Sequence, residues 1–186
     1  FYGLAWDPNA HVLYASGGGN NFIYAFTVTP AGALVADPTR TLDIDFHPTD
    51  ATQALAGRAD GFAMRTLDGG VTWAPVQIGA ISTRIELAYA RSSPSTVFAT
   101  VSDTSWFIHV WRSLDGGATW TQRSTASIGT YSLYNNALWV DPTNANNVVY
   151  GGVQLYRSTD AGATRVQFTT GSHPDYHVIV EQPGYN

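Results

Sequence analysis

Thr66-Leu67-Asp68-Gly69-Gly70-Val71-Thr72-Trp73 returns as Ser113-Leu114-Asp115-Gly116-Gly117-Ala118-Thr119-Trp120 and, worn, as Ser158-Thr159-Asp160-Ala161-Gly162-Ala163-Thr164-Arg165. Asp68 and Asp115 are 47 residues apart, Asp115 and Asp160 45. A fixed period of this size is the mark of a repeat architecture, and 40–50 residues is about the length of one four-stranded propeller blade. Asp7-Pro8-Asn9, His47-Pro48-Thr49 and Asp141-Pro142-Thr143 keep the same beat, with Arg91 to Pro94 in the equivalent place of the remaining unit. The predicted units are 1–41, 42–82, 83–130 and 131–170, with the opening strand of a further blade in 171–186, all in one propeller domain.

Within the units the alternation is that of strands. The second reads Asp43–His47, Gln53–Arg58, Phe62–Thr66 and Trp73–Ile78. The third reads Arg84–Ala90, Thr96–Val101, Trp106–Arg112 and a strand opening at Trp120. The fourth reads Asn136–Val140, Val148–Gly152, Gln154–Ser158 and Arg165–Thr169. The first has Gly3–Trp6, Val12–Ala15, Phe22–Val28 and a weak strand near Ala33–Val35, with Thr29-Pro30-Ala31-Gly32 in place of the repeated turn. Tyr176–Glu181 reads as a lone strand, and no stretch reads as a helix. The expected fold is all-β: about four four-stranded antiparallel blades plus one strand, part of a larger propeller.

Composition narrows the function classes. The 186 residues contain no cysteine, which excludes disulfides and thiolate chemistry, and all nine basic residues are Arg. With a net charge of -5 and no basic cluster, nucleic acid is not an expected partner. No apolar run approaches the roughly 20 residues of a membrane span. The chain opens Phe1-Tyr2-Gly3 without an initiator Met or signal peptide, as expected of a processed chain or an excised fragment. Gly17-Gly18-Gly19-Asn20-Asn21 has neither a Lys nor a following helix and reads as a hairpin turn, not a phosphate loop.

The Ser/Thr-x-Asp-x-Gly-x-Thr-Trp pattern resembles the Asp-box, or BNR repeat, of sialidases, xyloglucanase-type glycoside hydrolases, sortilin-like receptors and a plant photosystem assembly factor. Two copies match fully and the third loses its aromatic at Arg165. The first unit is closer to a lactonase-type or YVTN blade, in Gly3-Leu4-Ala5-Trp6-Asp7-Pro8 and Leu13-Tyr14-Ala15-Ser16-Gly17-Gly18. The resemblance implies a bacterial, secreted or periplasmic, glycosyl-hydrolase-like propeller that acts on or binds carbohydrate at the mouth of its channel. If it is an enzyme, it is a glycoside hydrolase. The alternative is a non-catalytic module for a protein or other ligand, and self-association or the rest of the propeller would cover its open edges. The arginine triad, the Arg-Ile-Pro segment and the Tyr–Glu pair of sialidases find no counterpart. The box itself reads as a turn staple: its Asp accepts the turn's amides and its glycines supply positive φ. The third copy is expected to tolerate Asp160→Ala better than the second tolerates Asp115→Ala.

Candidate chemistry lies on the first strand of each unit, which lines a propeller's channel. Period two places Asp43, Asp45 and His47 on one face, Arg84 and Glu86 on another, and His173, Asp175 and His177 on a third. Glu86, Asp43 and Asp45 are the candidate catalytic carboxylates, because glycoside hydrolysis needs an acid and a base or nucleophile across the substrate. The plainer alternative pairs Glu86 with Arg84 or Arg58. Arg84, Tyr134, Asn135, Trp106 and Tyr176 are the candidate ligand-binding residues, with Tyr131 a further ring. His173, Asp175, His177 and His47 have the donor types of a divalent metal site.

Overall fold

The computed structural model describes the backbone of residues 3–7, 12–16 and 23–27, and residues 41–80, 82–124, 128–129, 134–167, 169 and 175–182. Four antiparallel sheets follow one another along the chain. The first contains β1 (Gly3–Asp7), β2 (Val12–Ser16) and β3 (Ile23–Thr27). The second contains β4 (Thr41–Phe46), β5 (Ala54–Arg58), β6 (Phe62–Thr66) and β7 (Ala74–Gln77). In the third, β8 (Ser82–Tyr89), β9 (Val97–Asp103) and β10 (Phe107–Ser113) are followed by an outer edge that β11 (Thr121–Gln122) and β12 (Ile128–Gly129) share. The fourth contains β13 (Ala137–Val140), β14 (Val148–Gly151), β15 (Leu155–Ser158) and β16 (Val166–Gln167). No helix occurs among the described residues. The expected strand at Ala33–Val35, the turn Thr29–Gly32, the Gly17–Asn21 loop, Tyr131, His173 and Pro174 lie outside them.

Two expectations need correction. The strand opening at Trp120 is two short pieces, because Thr121 and Gln122 pair one end of β10 while Ile128 and Gly129 pair the other. Tyr176–Glu181 is not a strand: a strand needs a ladder partner, and among the described residues this segment pairs with no strand, its Tyr176 N–H donating to the Gly152 carbonyl at 2.7 Å.

Apolar side chains on both faces of each inner sheet stack the sheets. Leu55, Ala63 and Ile78 of the second meet Ile85, Leu87, Tyr89, Val97, Ala99 and Val101 of the third. The other face of the third, with Phe98, Ile108 and Val110, meets Val140, Val148 and Tyr150 of the fourth. Strand β9 is buried on both faces, which is why Val97–Val101 reads as an unbroken β-rich run instead of alternating. Gly57 makes the closest approach possible, since a Cβ there would stand 2.3 Å from the Ile85 carbonyl oxygen.

The repeated turns are built alike. Thr72 N–H donates to Asp68 Oδ1 and its hydroxyl to Oδ2, at 2.9 and 2.6 Å. The same pair of bonds runs from Thr119 to Asp115 and from Thr164 to Asp160. Each turn also docks on the loop between the first two strands of its own sheet: Gly69, Gly116 and Ala161 donate to the carbonyls of Thr52, Ser95 and Asn146. Two of them lock onto the preceding sheet, where Arg65 donates to the Gly116 carbonyl and Arg123 to that of Ala161, both at 2.9 Å. Trp73 and Trp120 bond the carbonyls of Gly70 and Gly117, whereas Arg165 lies over the Tyr156 ring, 5.4 Å from its centre.

The third turn therefore keeps every bond of its Asp, and the expected tolerance of Asp160→Ala does not follow. Asp160→Ala should lower the urea midpoint as much as Asp115→Ala does, because both remove the same bonds. Gly57→Ala has no room without moving backbone and costs about 1–3 kcal/mol, read from the same urea curves. An unchanged midpoint for Gly57→Ala would contradict the packing of β5 on β8.

Candidate functional site

Equivalent backbone bonds set the levels of the inner strands. His47, Ala90 and Asp141 each donate an N–H across the loop that follows, to Gln53, Thr96 and Asn147. Counting back from these residues puts Asp45, Ala88 and Trp139 at one level, Asp43, Glu86 and Ala137 at the next, and Arg84 and Asn135 one level further toward the start of the strands, while a bulge between Thr41 and Asp43 takes Thr41 out of this register. Every candidate carboxylate thus lies on an inner strand, at mid-height.

Asp43 and Asp45 reach across the joint between the second and third sheets. Asp43 Oδ2 accepts the Leu87 N–H and Asp45 Oδ2 the Tyr89 N–H, both at 2.7 Å. These amides belong to the free edge of β8, so the carboxylates close an edge that would otherwise be open to another strand. The two Asp groups are held in a tight, poorly solvated joint. Burial pushes Asp43 up to about 6 against the pull of the Leu87 amide. It pushes Asp45 up to about 7, with the Asp43 charge adding to the rise and the Tyr89 amide opposing it. Glu86, with only 16% of its side chain exposed, takes the Arg84 Nε–H at 2.5 Å, so the pairing weighed as the plainer alternative is present. Burial, reinforced by Asp43, still raises it to about 8.

The start of the inner strands gathers most of the other candidates. The Tyr134 carbonyl accepts from Arg84 Nη1 at 3.0 Å and faces His177 Nδ1 at 3.2 Å, while the Tyr134 and His177 rings meet edge to face at 4.6 Å. Asn135, fully buried, donates to Asp175 at 2.7 Å. Tyr134 itself is 67% exposed. Arg84, Glu86, Tyr134, Asn135, Asp175 and His177 therefore form one linked polar group, with Asp43 within electrostatic reach of Arg84 and Glu86.

Solved structures share this arrangement of sheets. An ancestral GH74 enzyme superposes with a TM-score of 0.74 at 15% identity, over 94% of this chain and 26% of its own. The GH74 xyloglucanase from Xanthomonas campestris gives 0.69 at 14% identity, over 92% and 31%. YCF48 from Cyanidioschyzon merolae gives 0.52 at 21% identity, over 72% and 38%. The chain is a run of β-propeller blades. It spans about a quarter to a third of the length of the two GH74 structures, and at these identities the likeness is one of fold. No family model and no curated protein matches the sequence.

At the other end of the inner strands, three blades and the segment 179–181 enclose a cleft of about 640 Å³. His47 sits there edge-on to Tyr89, ring centres 5.3 Å apart, and accepts the Thr49 N–H. Glu181 binds both Arg91 and the Trp139 indole across it. His47 thus belongs to the cleft while His177 and Asp175 belong to the opposite group. No set of three or more His, Asp or Glu among the described residues is arranged to hold a metal ion. Tyr176 is tied to the fourth blade through its N–H, and Trp106 lies on the β9–β10 turn. Sequence reasoning passed over Arg91 and Trp139. Their signal was positional: Arg91 starts the loop equivalent to His47-Pro48, and Trp139 shares the level of Asp45.

The raised carboxyl groups set the pH dependence of stability. Folded Asp43, Asp45 and Glu86 keep protons that the unfolded chain has released, so stability falls as pH rises from about 4 through about 8. Asp50, Asp141 and Asp160, held at about 2 by the hydroxyls of Thr52, Thr143 and Thr164, act oppositely, and their contribution is lost as pH falls below about 4. Thermal midpoints should peak near pH 4–6, and Asp45→Asn should flatten the alkaline decline. A midpoint that rises from pH 6 to pH 8 would contradict the burial of these groups.

Proposed function

We propose that these blades belong to a glycosyl-hydrolase-like propeller that binds carbohydrate at the channel mouth where the inner strands begin. The observation that carries this reading is the linked group around Tyr134: an exposed ring, a guanidinium and a half-buried carboxyl, brought together from two adjacent blades. The exposed Tyr134 ring and the Arg84–Glu86 pair suit a hydroxyl-rich ligand that offers both apolar C–H faces and hydrogen-bonding edges.

Hydrolysis would use the same group. Glu86, with a pKa of about 8, is protonated at neutral pH and suits a general acid, while Asp43, at about 6, is ionised there. Two carboxyls pushed apart in this way match the division of labour in glycoside hydrolysis. One observation favours the second reading, a non-catalytic module for a protein or other ligand: Asp43 and Asp45 already accept backbone amides, which a nucleophile or base would have to release.

A glycan array that includes xyloglucan oligosaccharides, run beside chromogenic glycosides, tests both. Binding is expected, with Arg84→Ala lowering affinity about tenfold or more. Any turnover should fall at least about 100-fold in Glu86→Gln and decline as pH rises through about 8. Binding without turnover selects the module. Failure of the folded protein to bind any glycan rejects the carbohydrate reading.

A further inference from the structure

His177-Val178-Ile179-Val180-Glu181 has the same chemistry read in either direction, with a polar residue at each end and β-branched residues between. Residues of that kind favour strands, but among the described residues this run pairs with no strand. It is held by its flanks. Asn135 donates to Asp175 at 2.7 Å, the Tyr176 N–H donates to the Gly152 carbonyl, and Glu181 accepts from Arg91 and the Trp139 indole. Ile179 is half-buried at the cleft, while Val178 and Val180 are 70% and 81% exposed. No described residue bonds the main chain of Val178, Ile179 or Val180.

Other edges of the chain are blunted. Asp43 and Asp45 close that of β8, β7 carries Pro75, and β11, β12 and β16 have two residues each. Charge, proline and short length are the usual protections of an edge. Val178–Val180 carries neither charge nor proline and offers the main chain of consecutive residues. Unbonded amides and carbonyls in an extended run are complemented by another strand. The order of the residues says which one. In an antiparallel pair centred on Ile179, that residue faces its own copy, Val178 faces Val180 of the partner subunit, and His177 faces Glu181 of the partner subunit. Cross-strand pairs of β-branched residues, and of an imidazole with a carboxylate, stabilise a sheet. An in-register parallel pair would instead set one Glu181 carboxylate against the other.

We propose that this segment is a two-fold interface, at which a second copy of the chain adds its own His177–Glu181 as an antiparallel strand. The bonds of Asp175 and Glu181 to the blades hold the run in place and lower the entropy lost on pairing. A contact of this kind is isologous: each copy uses the same surface, so assembly closes at the dimer.

Sedimentation velocity over about a hundredfold range of concentration should show a monomer–dimer equilibrium. The double variant Val178→Lys, Val180→Lys sets like charges opposite one another and should weaken association at least about tenfold. Its circular dichroism should match the parent's, because both side chains are exposed. The absence of cysteine allows the register to be read as well. Under air oxidation Ile179→Cys should link to its own copy, since residues directly opposite in an antiparallel pair stand about 4.5–5.5 Å apart at Cα, within disulfide reach. Val178→Cys alone should link poorly, but should link to Val180→Cys when the two variants are mixed. A monomer at every concentration overturns the proposal. So does a dimer that survives the paired Lys substitutions, or one in which Cys at 178, 179 and 180 each link equally well to themselves. Growth beyond the dimer overturns the two-fold arrangement.

Discussion

The joint between the second and third blades depends on two carboxylates that accept backbone amides from the edge of the neighbouring inner strand. An inner strand has one partner and one free edge, and a row of free amides at an edge invites another strand. Asp43 and Asp45 close that edge in β8 through the amides of Leu87 and Tyr89. Their spacing of two residues matches the spacing of outward-pointing amides on a strand, so one blade's side chains read the next blade's backbone. The cost is burial of acidic groups, visible in their upward displacement to about 6 and 7. Glu86 and Ala88 occupy the corresponding levels at the next joint. Glu86 turns to Arg84 there, and the contact between blades runs instead through Thr100 and Asn136, at 2.9 Å, and through Arg84 to the Tyr134 carbonyl.

At the far end of the strands a second device works on the same principle. The Asp-centred turns satisfy their own amides, then offer a carbonyl to an Arg from the blade before. The second glycine of the turn carries a matching contact: a Cβ at Gly117 would lie 2.6 Å from a Leu55 methyl, and one at Gly162 2.8 Å from a Val110 methyl. The turns are thus both staples within a blade and latches between blades, which accounts for a third turn that keeps its Asp network after losing its aromatic.

The blades were legible because their information is local and repeated: spacing, alternation and turn chemistry all lie in short runs. Phe62–Thr66 was read to the residue for this reason. The split outer strand of the third blade and the irregular course of Tyr176–Glu181 were not legible, since both depend on what lies alongside. In the site, alternation placed Asp43, Asp45, Arg84 and Glu86 on inner strands. It left open that the partners of the two Asp groups are the main-chain amides of Leu87 and Tyr89, because an edge amide has no signature in side-chain identity. The separation of His47 from His177 was hidden likewise, as the two ends of a channel look alike in a period-two pattern.

Hydrogen exchange resolved at single amides tests the carboxylate clamp most directly. Leu87 and Tyr89 should be protected in the parent protein although they face a strand edge. In the Asp43→Ala, Asp45→Ala double variant they should exchange much faster, while Glu86 and Ala88, which face β9, stay protected. Fast exchange at Leu87 and Tyr89 in the parent protein, or no change on removing both carboxylates, would contradict the account.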